Sequence, residues 1–374
     1  MRKITSVLIT AALMLAMAGC SSTSDSESTS GAAETTAAVT TAAEVSEENE
    51  TETSAEETEQ PEAANGENTD NTEVHTNEFD LEKGTVLLNN GIEMPVVGIG
   101  TFTLTSEQAS DSVYWALGDG YSLIDTAAAY GNEEGVGQGI KRAIDGGLVK
   151  REDIFVTTKL WFDNYTMEGI DAALERLDLE YIDLLLLHQP MGDYIGGYKA
   201  MEQAVEQGKV RCIGISNFSQ EQFEEIMAIA TIPPAINQVE NHTYNQQLEM
   251  IDYMDKYGTV IEAWFPLGGR GHTQELFANE TISGIAEAHG KSSAQVILRW
   301  HLQAGHIAIP GSNNPDHIKE NLDIFDFELS EEEMEQMSAL NTAVPFFGGF
   351  AGNGSGGNVD LGDAADRWGL DVGD

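Results

Sequence analysis

From about Lys83 onward, short runs of apolar and β-branched residues alternate with amphipathic stretches of ten or more residues. That change of period, repeated along the chain, predicts βαβ units and a parallel sheet. Eight strands are expected, at Val96 to Ile99, Leu123 to Asp125, Phe155 to Lys159, Ile182 to His188, Val210 to Ser216, Ala235 to Glu240, Thr259 to Phe265 and His306 to Pro310. Helices fill the gaps. In Ser106 to Asp119, for example, Ala109, Val113, Trp115, Ala116 and Leu117 give an apolar stripe behind a capped, acidic start at Ser106 and Glu107. Ahead of the first strand, T-V-L-L-N-N-G-I-E-M-P sets an Asn-Gly pair between two short alternating runs, which predicts a hairpin placed to plug the bottom of a barrel. Eight strand and helix alternations fit an α/β fold of the (β/α)8 TIM barrel type better than a doubly wound open sheet. A dinucleotide-binding open sheet would also show G-x-G-x-x-G after its first strand, where this chain reads G-I-G-T-F-T-L. Gly135, Gly137 and Gly139 follow the second strand and lack the spacing.

The rest of the chain divides by composition. Residues 1–20 carry Arg2 and Lys3, an apolar run from Val7 to Ala18 that is too short to span a bilayer, and the ending L-A-M-A-G-C. That ending resembles a bacterial lipobox, so 1–20 is expected to be a lipoprotein signal peptide with Cys20 as the lipidation site. A plain secreted protein is the alternative. Residues 21–82 are rich in Ser, Thr, Ala and Glu, hold no Lys or Arg, and have too few apolar side chains to offset the entropy of ordering. They are expected to form a disordered acidic stalk between the membrane anchor and a barrel at 83–345. Residues 346–374 are a glycine-rich tail, either frayed or folded over the pocket as a substrate loop.

The net charge of −45 disfavours nucleic acid as a partner. Membrane contact is expected through the N-terminal lipid only, on the extracytoplasmic face, with the protein a monomer. Cys20 and Cys212 are the two cysteines, so a lipidated Cys20 leaves no intramolecular disulfide, and Cys212 reads as a small apolar residue in a strand. No metal is expected, because the eight histidines are scattered and no acidic pair falls at ligand spacing beside them.

Several polar residues fall at strand ends: Asp125, Lys159, His188, Ser216 with Asn217, Gln238 and Ser312. Each alone has a bland explanation as a turn cap, a snorkelling lysine or a satisfied core histidine. In a barrel, however, every C-terminal strand end opens on one face. The stretches G-Y-S-L-I-D-T-A-A-A-Y-G-N-E (120–133), T-K-L-W (158–161), D-L-L-L-L-H (183–188), G-I-S-N-F (214–218), Q-V-E (238–240), A-W-F-P-L-G (263–268) and I-P-G-S (309–312) together resemble the aldo-keto reductase superfamily. The W-x-P-L-G and K-L-W forms resemble its bacterial diketogluconate and small-aldehyde reductase branch.

That resemblance implies an NAD(P)H-dependent oxidoreductase that reduces a small carbonyl or sugar-derived substrate. Its catalytic tetrad falls on Asp125, Tyr130, Lys159 and His188. Hydride delivered to a carbonyl carbon builds an alkoxide, so a positioned acid and nearby positive charge are needed. Tyr130 would be the acid, Lys159 would lower its pKa, Asp125 would hold Lys159, and His188 would orient the carbonyl beside Trp161. The resemblance also places cofactor contacts on Ser216, Asn217, Gln238, Trp264, Leu267, Pro310, Ser312 and Asn321. In place of the two cations that usually grip the extra phosphate of NADPH, this chain has Gly311 and His317. NADPH is the expected cofactor, and NADH the alternative. A non-catalytic nicotinamide-binding sensor at the membrane is the rival function, distinguished by its lack of turnover.

Overall fold

The computed structural model describes residues 77–347. The expected signal peptide with Cys20, most of the segment expected to be a stalk and most of the glycine-rich tail lie outside the described residues. Among those described, no helix is long and apolar enough to cross a membrane.

The chain opens with a three-stranded antiparallel sheet, β1 Glu78–Asp80, β2 Thr85–Leu87 and β3 Glu93–Pro95. The Asn-Gly hairpin is present: Thr85 pairs with Pro95 and Leu87 with Glu93, and Gly91 turns the chain at φ 77°. β1 was not expected, since it falls inside the segment read as stalk, so ordered chain begins upstream of Lys83. Val86 and Met94 are fully buried, and Asn89 Nδ2 donates to Pro234 O at 3.0 Å just ahead of a barrel strand. The hairpin therefore covers the N-terminal ends of the strands.

Eight parallel strands follow: β4 Gly98–Gly100, β5 Leu123–Asp125, β6 Phe155–Leu160, β7 Ile182–Leu187, β8 Val210–Ser216, β9 Ile236–Glu240, β10 Val260–Trp264 and β11 Ile307–Ala308. They are hydrogen-bonded in chain order. Bridges from Val97 to Ala308 and from Gly100 to Gly311 join the last strand to the first. The outer helices are α1 Ser106–Asp119, α2 Glu133–Asp145, α3 Met167–Leu177, α4 Tyr194–Glu206, α5 Gln220–Met227, α6 Leu248–Met254, α7 Thr273–Phe277, α8 Glu280–His289, α9 Ser293–Gln303, α10 Pro315–Leu322 and α11 Glu331–Ser338. The expected (β/α)8 barrel is the observed fold.

The ends of the expected strands shift where the barrel closes. β4 begins two residues late because Val96 N donates to Gly84 O in the hairpin. β11 shrinks to two residues because the chain beyond it is shared, with Ile309 N bonding Ala263 O and Gly100 N bonding Pro310 O. The cap of α1 also lies one residue upstream of Ser106. Thr105 accepts from Gln108 N, and the Gln108 side chain returns to Thr105 N.

Gly135, Gly137 and Gly139, which have no dinucleotide spacing, have a packing explanation. A Cβ on Gly135 would lie 2.0 Å from Ser106 O, one on Gly137 2.3 Å from Leu177 O, and one on Gly139 2.6 Å from Ser110 O. They let α2 lie against α1 and the end of α3 at backbone contact distance. The barrel core is apolar, and every residue of β6 and β7 is buried. Asp183, fully buried on β7, is paired on both oxygens, by Arg151 at 2.6 Å and Arg211 at 2.6 Å. Cys212 is 1 % exposed on β8, as its apolar neighbourhood in the sequence implied.

Candidate active site

β5 and β8 end on Asp125 and Ser216, Lys159 is the penultimate residue of β6, Gln238 stands midway along β9, and His188 follows β7 directly. Parallel strands with right-handed crossovers leave these ends on one face, which is why residues far apart in sequence meet there. Tyr130 reaches the same place on a single 3₁₀ turn, Ala128–Tyr130, closed by Gly131 at φ 65°.

Lys159 is the centre. Its Nζ lies 2.7 and 2.8 Å from the two Asp125 carboxylate oxygens, 2.9 Å from Thr126 O and 3.2 Å from Tyr130 Oη. It is fully buried. Burial alone would lower the pKa of this ammonium, but the Asp125 carboxylate, supported by Tyr130, more than offsets that and raises it. Lys159 is therefore a fixed positive charge under the Tyr130 hydroxyl.

The expected effect on Tyr130 is only half realised. Burial is the largest influence and raises its pKa, Lys159 pulls in the opposite direction, and the net result is a phenol pushed up to about 12. The tyrosine is thus a protonated hydroxyl at neutral pH, ready to donate rather than already ionised. His188 is held well below its ordinary value by burial and by the Lys159 ammonium, so its imidazole is neutral. Its Nδ1 is buried without a partner. Tyr130 and Trp161 both meet the His188 ring edge-on, at 5.6 and 5.0 Å between centroids.

Tyr130 and His188 line a cleft walled mainly by Phe102, Trp161, Trp264 and Phe265. Ser216, Asn217 and Gln238 form one side of it and are tied together. Ser216 Oγ donates to Gln238 O at 2.9 Å, Asn217 Nδ2 to His188 O at 3.1 Å, and the Trp264 indole N–H to Asn217 Oδ1 at 2.9 Å. The indole is thereby locked as a flat wall, the geometry needed to stack an aromatic ring. A second cleft shares Phe102, Phe265 and Gly311 with the first and contains Leu267, Pro310, Ser312, Asn321 and His317. All eight residues expected to contact a cofactor thus lie along one continuous trough, a shape and donor set that fit an elongated nicotinamide dinucleotide.

Three features were not anticipated. Thr126 O is a third acceptor for Lys159. Glu262, fully buried on β10, stands behind Gln238, and it was visible in the sequence as one acid inside the apolar run V-I-E-A-W. Arg270 lines the second cleft together with His317. Among the described residues, the side chains of Arg142, Arg151, Arg176, Arg211 and Arg299 all hydrogen-bond to protein groups, whereas Arg270 has no such partner. The tail enters the rim of the site: Phe346 stacks between His242 and His272 at 4.1 and 4.0 Å, and Phe347 packs on Phe265 at 4.9 Å. No cluster of metal-ligating side chains occurs among the described residues.

Comparison with known proteins is consistent with this geometry. The model of the Aldo/keto reductase family matches residues 96–342. A glyoxal reductase of Bacillus subtilis is 46% identical over 265 residues, covering 69% of this chain and 93% of the relative. The crystal structure of an aldo-keto reductase from a Medee basin deep-sea metagenome library superposes with a TM-score of 0.68 at 40% identity, covering 71% of this chain and 97% of that one. A Bombyx mori aldo-keto reductase in complex with NADP gives a TM-score of 0.66 at 35% identity, covering 70% and 93%.

Removing the central cation is expected to strand Asp125. Lys159→Met should cost about 3–5 kcal/mol of stability at pH 7, by urea denaturation, because an unpaired buried carboxylate remains. The loss should shrink as pH falls toward 5, because the stranded carboxyl in the folded variant takes up a proton while that of the unfolded chain is still ionised. Adding Asp125→Asn should restore most of it; a double variant no more stable than the single would contradict the pairing.

Proposed function

The chain belongs to the Aldo/keto reductase family, and from that premise we propose that it reduces a small aldehyde, ketone or sugar-derived carbonyl with NADPH, Tyr130 delivering the proton. Membership makes it an oxidoreductase with a nicotinamide cofactor. The single observation that carries the finer reading is Lys159 Nζ, clamped by Asp125 and 3.2 Å from a Tyr130 hydroxyl that faces the cleft.

When bound, reduced nicotinamide supplies hydride to the carbonyl carbon. The protein's part is to meet the negative charge that grows on the carbonyl oxygen. Tyr130 gives that oxygen a proton, and the Lys159 ammonium stabilises the tyrosinate left behind. Neutral His188 holds the same oxygen by a hydrogen bond and adds no competing charge. The aromatic walls Trp161, Phe102 and Phe265 exclude water and favour a small, partly apolar substrate. A glyoxal reductase among the relatives is in keeping with that size.

The preference for NADPH is supported by Arg270. In a chain of net charge −45, a guanidinium without a partner at the rim of the second cleft favours an anion. It lines the same cleft as Ser312, Asn313 and His317, where the usual lysine is replaced by Gly311. Arg270 is proposed to supply the missing cation from a different loop. The N-terminal twenty residues add a location: Cys20 as a lipidated anchor on the extracytoplasmic face of the cell membrane, with the acidic segment as spacer.

Tyr130→Phe is expected to lower turnover at least about 100-fold, followed at the absorbance band of reduced nicotinamide, while cofactor binding persists. Turnover within a few-fold of the parent would remove Tyr130 from the role. Arg270→Gln should weaken NADPH binding about tenfold or more and leave NADH nearly unchanged, a charge-assisted contact being worth roughly 1.5–3 kcal/mol. An equal effect on both cofactors would assign Arg270 to something other than the extra phosphate. Cys20→Ala, expressed with the full chain, should release the protein from the detergent phase or leave it unprocessed; a variant still cleaved and still partitioning into detergent would exclude the lipid anchor.

A further inference from the structure

Gln238 donates through Nε2 to Asp125 Oδ2 at 2.8 Å and to Glu262 Oε2 at 2.8 Å. A primary amide nitrogen has two hydrogens, and both are thereby used on carboxyl oxygens. The reverse orientation would set the amide oxygen against the Asp125 carboxylate, so the side chain cannot turn over without losing that bond. Gln238 lines the cleft, and the atom it has left to offer there is its carbonyl oxygen. We propose that Glu262 is a positioning residue that shares the Gln238 amide with Asp125 and so presents the Gln238 carbonyl oxygen to the carboxamide of the nicotinamide. The inference rests on the pocket's being a nicotinamide site.

Glu262 does this as an acid rather than a carboxylate. It is fully buried, its Oε1 has no partner, and among the described residues no cation forms a salt bridge to it. The titratable groups that interact with it stand on other strands of the barrel, Asp125 on β5, Lys159 on β6 and Cys212 on β8, with Tyr130 on the turn after β5. Lys159 is committed to Asp125. An ionised Glu262 would therefore add a second negative charge to a cluster that is already neutral. Burial, with Asp125 adding to it, pushes the Glu262 carboxyl up to about 8. Ionised Glu262 would also hold Tyr130 more tightly protonated, since its charge raises that phenol further.

The stability consequence has a definite sign. The unfolded chain ionises Glu262 near its ordinary value of 4.5, whereas the folded chain resists ionisation until about 8. The native state is therefore progressively disfavoured as pH rises through that window. Glu262→Gln keeps an acceptor for Gln238 and cannot ionise, whereas Glu262→Leu removes the acceptor.

The test uses the full chain and both variants, with three readouts. In the cofactor-free protein, melting is followed from pH 5 to pH 8. Glu262→Gln should match the parent near pH 5 and melt progressively higher as pH rises; a parallel pH dependence in the two would overturn the acid form. An infrared difference spectrum of parent minus Glu262→Gln at pH 7 should show a protonated-carboxyl band, and its absence would overturn it likewise. NADPH dissociation constants come from quenching of intrinsic tryptophan fluorescence. Glu262→Gln should stay within about twofold of the parent and Glu262→Leu should weaken at least fivefold. Equal affinity for Glu262→Leu and the parent would overturn the positioning role. A parent protein that binds neither NADPH nor NADH would instead defeat the nicotinamide reading itself, while the cofactor-free measurements still decide the protonation of Glu262.

Discussion

The ammonium of Lys159 is enclosed in protein on every side, and the site is arranged around what that charge requires. A bare buried cation would be untenable, so the neighbouring strand supplies Asp125 with both oxygens within 2.8 Å and Thr126 supplies a backbone carbonyl. Those three acceptors fix the nitrogen in space, and the fourth contact, to Tyr130 Oη, turns it into a chemical tool. Burial, with the same charge adding to it, keeps His188 neutral. Acid, orienting donor and stabilising cation are thus set by one ion pair held between adjacent strands.

The acid composition of the chain makes this economy visible elsewhere. Cations are few, and most hold structural carboxylates in place: Arg151 and Arg211 on Asp183, Arg176 on Glu133, Lys291 on Asp323. Arg270 departs from that pattern, at the edge of the trough rather than in a structural pair. Glu262 is its counterpart among the acids, a carboxyl in the barrel interior that faces another acid through a shared amide and no cation in direct contact. Both departures lie along the same trough, which is where unusual electrostatics carry functional meaning.

Much of this was legible from the chain. The alternation of short apolar runs with amphipathic segments gave eight strands and the barrel, because burial on both faces of a parallel strand demands near-continuous apolar sequence. The Asn-Gly pair marked the hairpin, and each tetrad residue lay at a strand end or on the turn after it. What was misplaced were ends: β4 and β11 are trimmed at the seam, and β1 was missed, being three residues of mixed polarity whose only reason to be a strand is β2 beside it.

Local pattern could determine the order of elements and the identity of the chemical groups, since both depend on residues within one or two turns of each other. It could not determine balances between groups that meet only when the barrel closes. The net upward shift of Tyr130, where burial outweighs Lys159, is one such balance. The clamp on Gln238 is another, built from β5, β9 and β10, more than a hundred residues apart at its extremes. Sequence named the groups because side-chain chemistry is carried by each residue alone; distance and desolvation decided what each group does, and these exist only in the folded barrel.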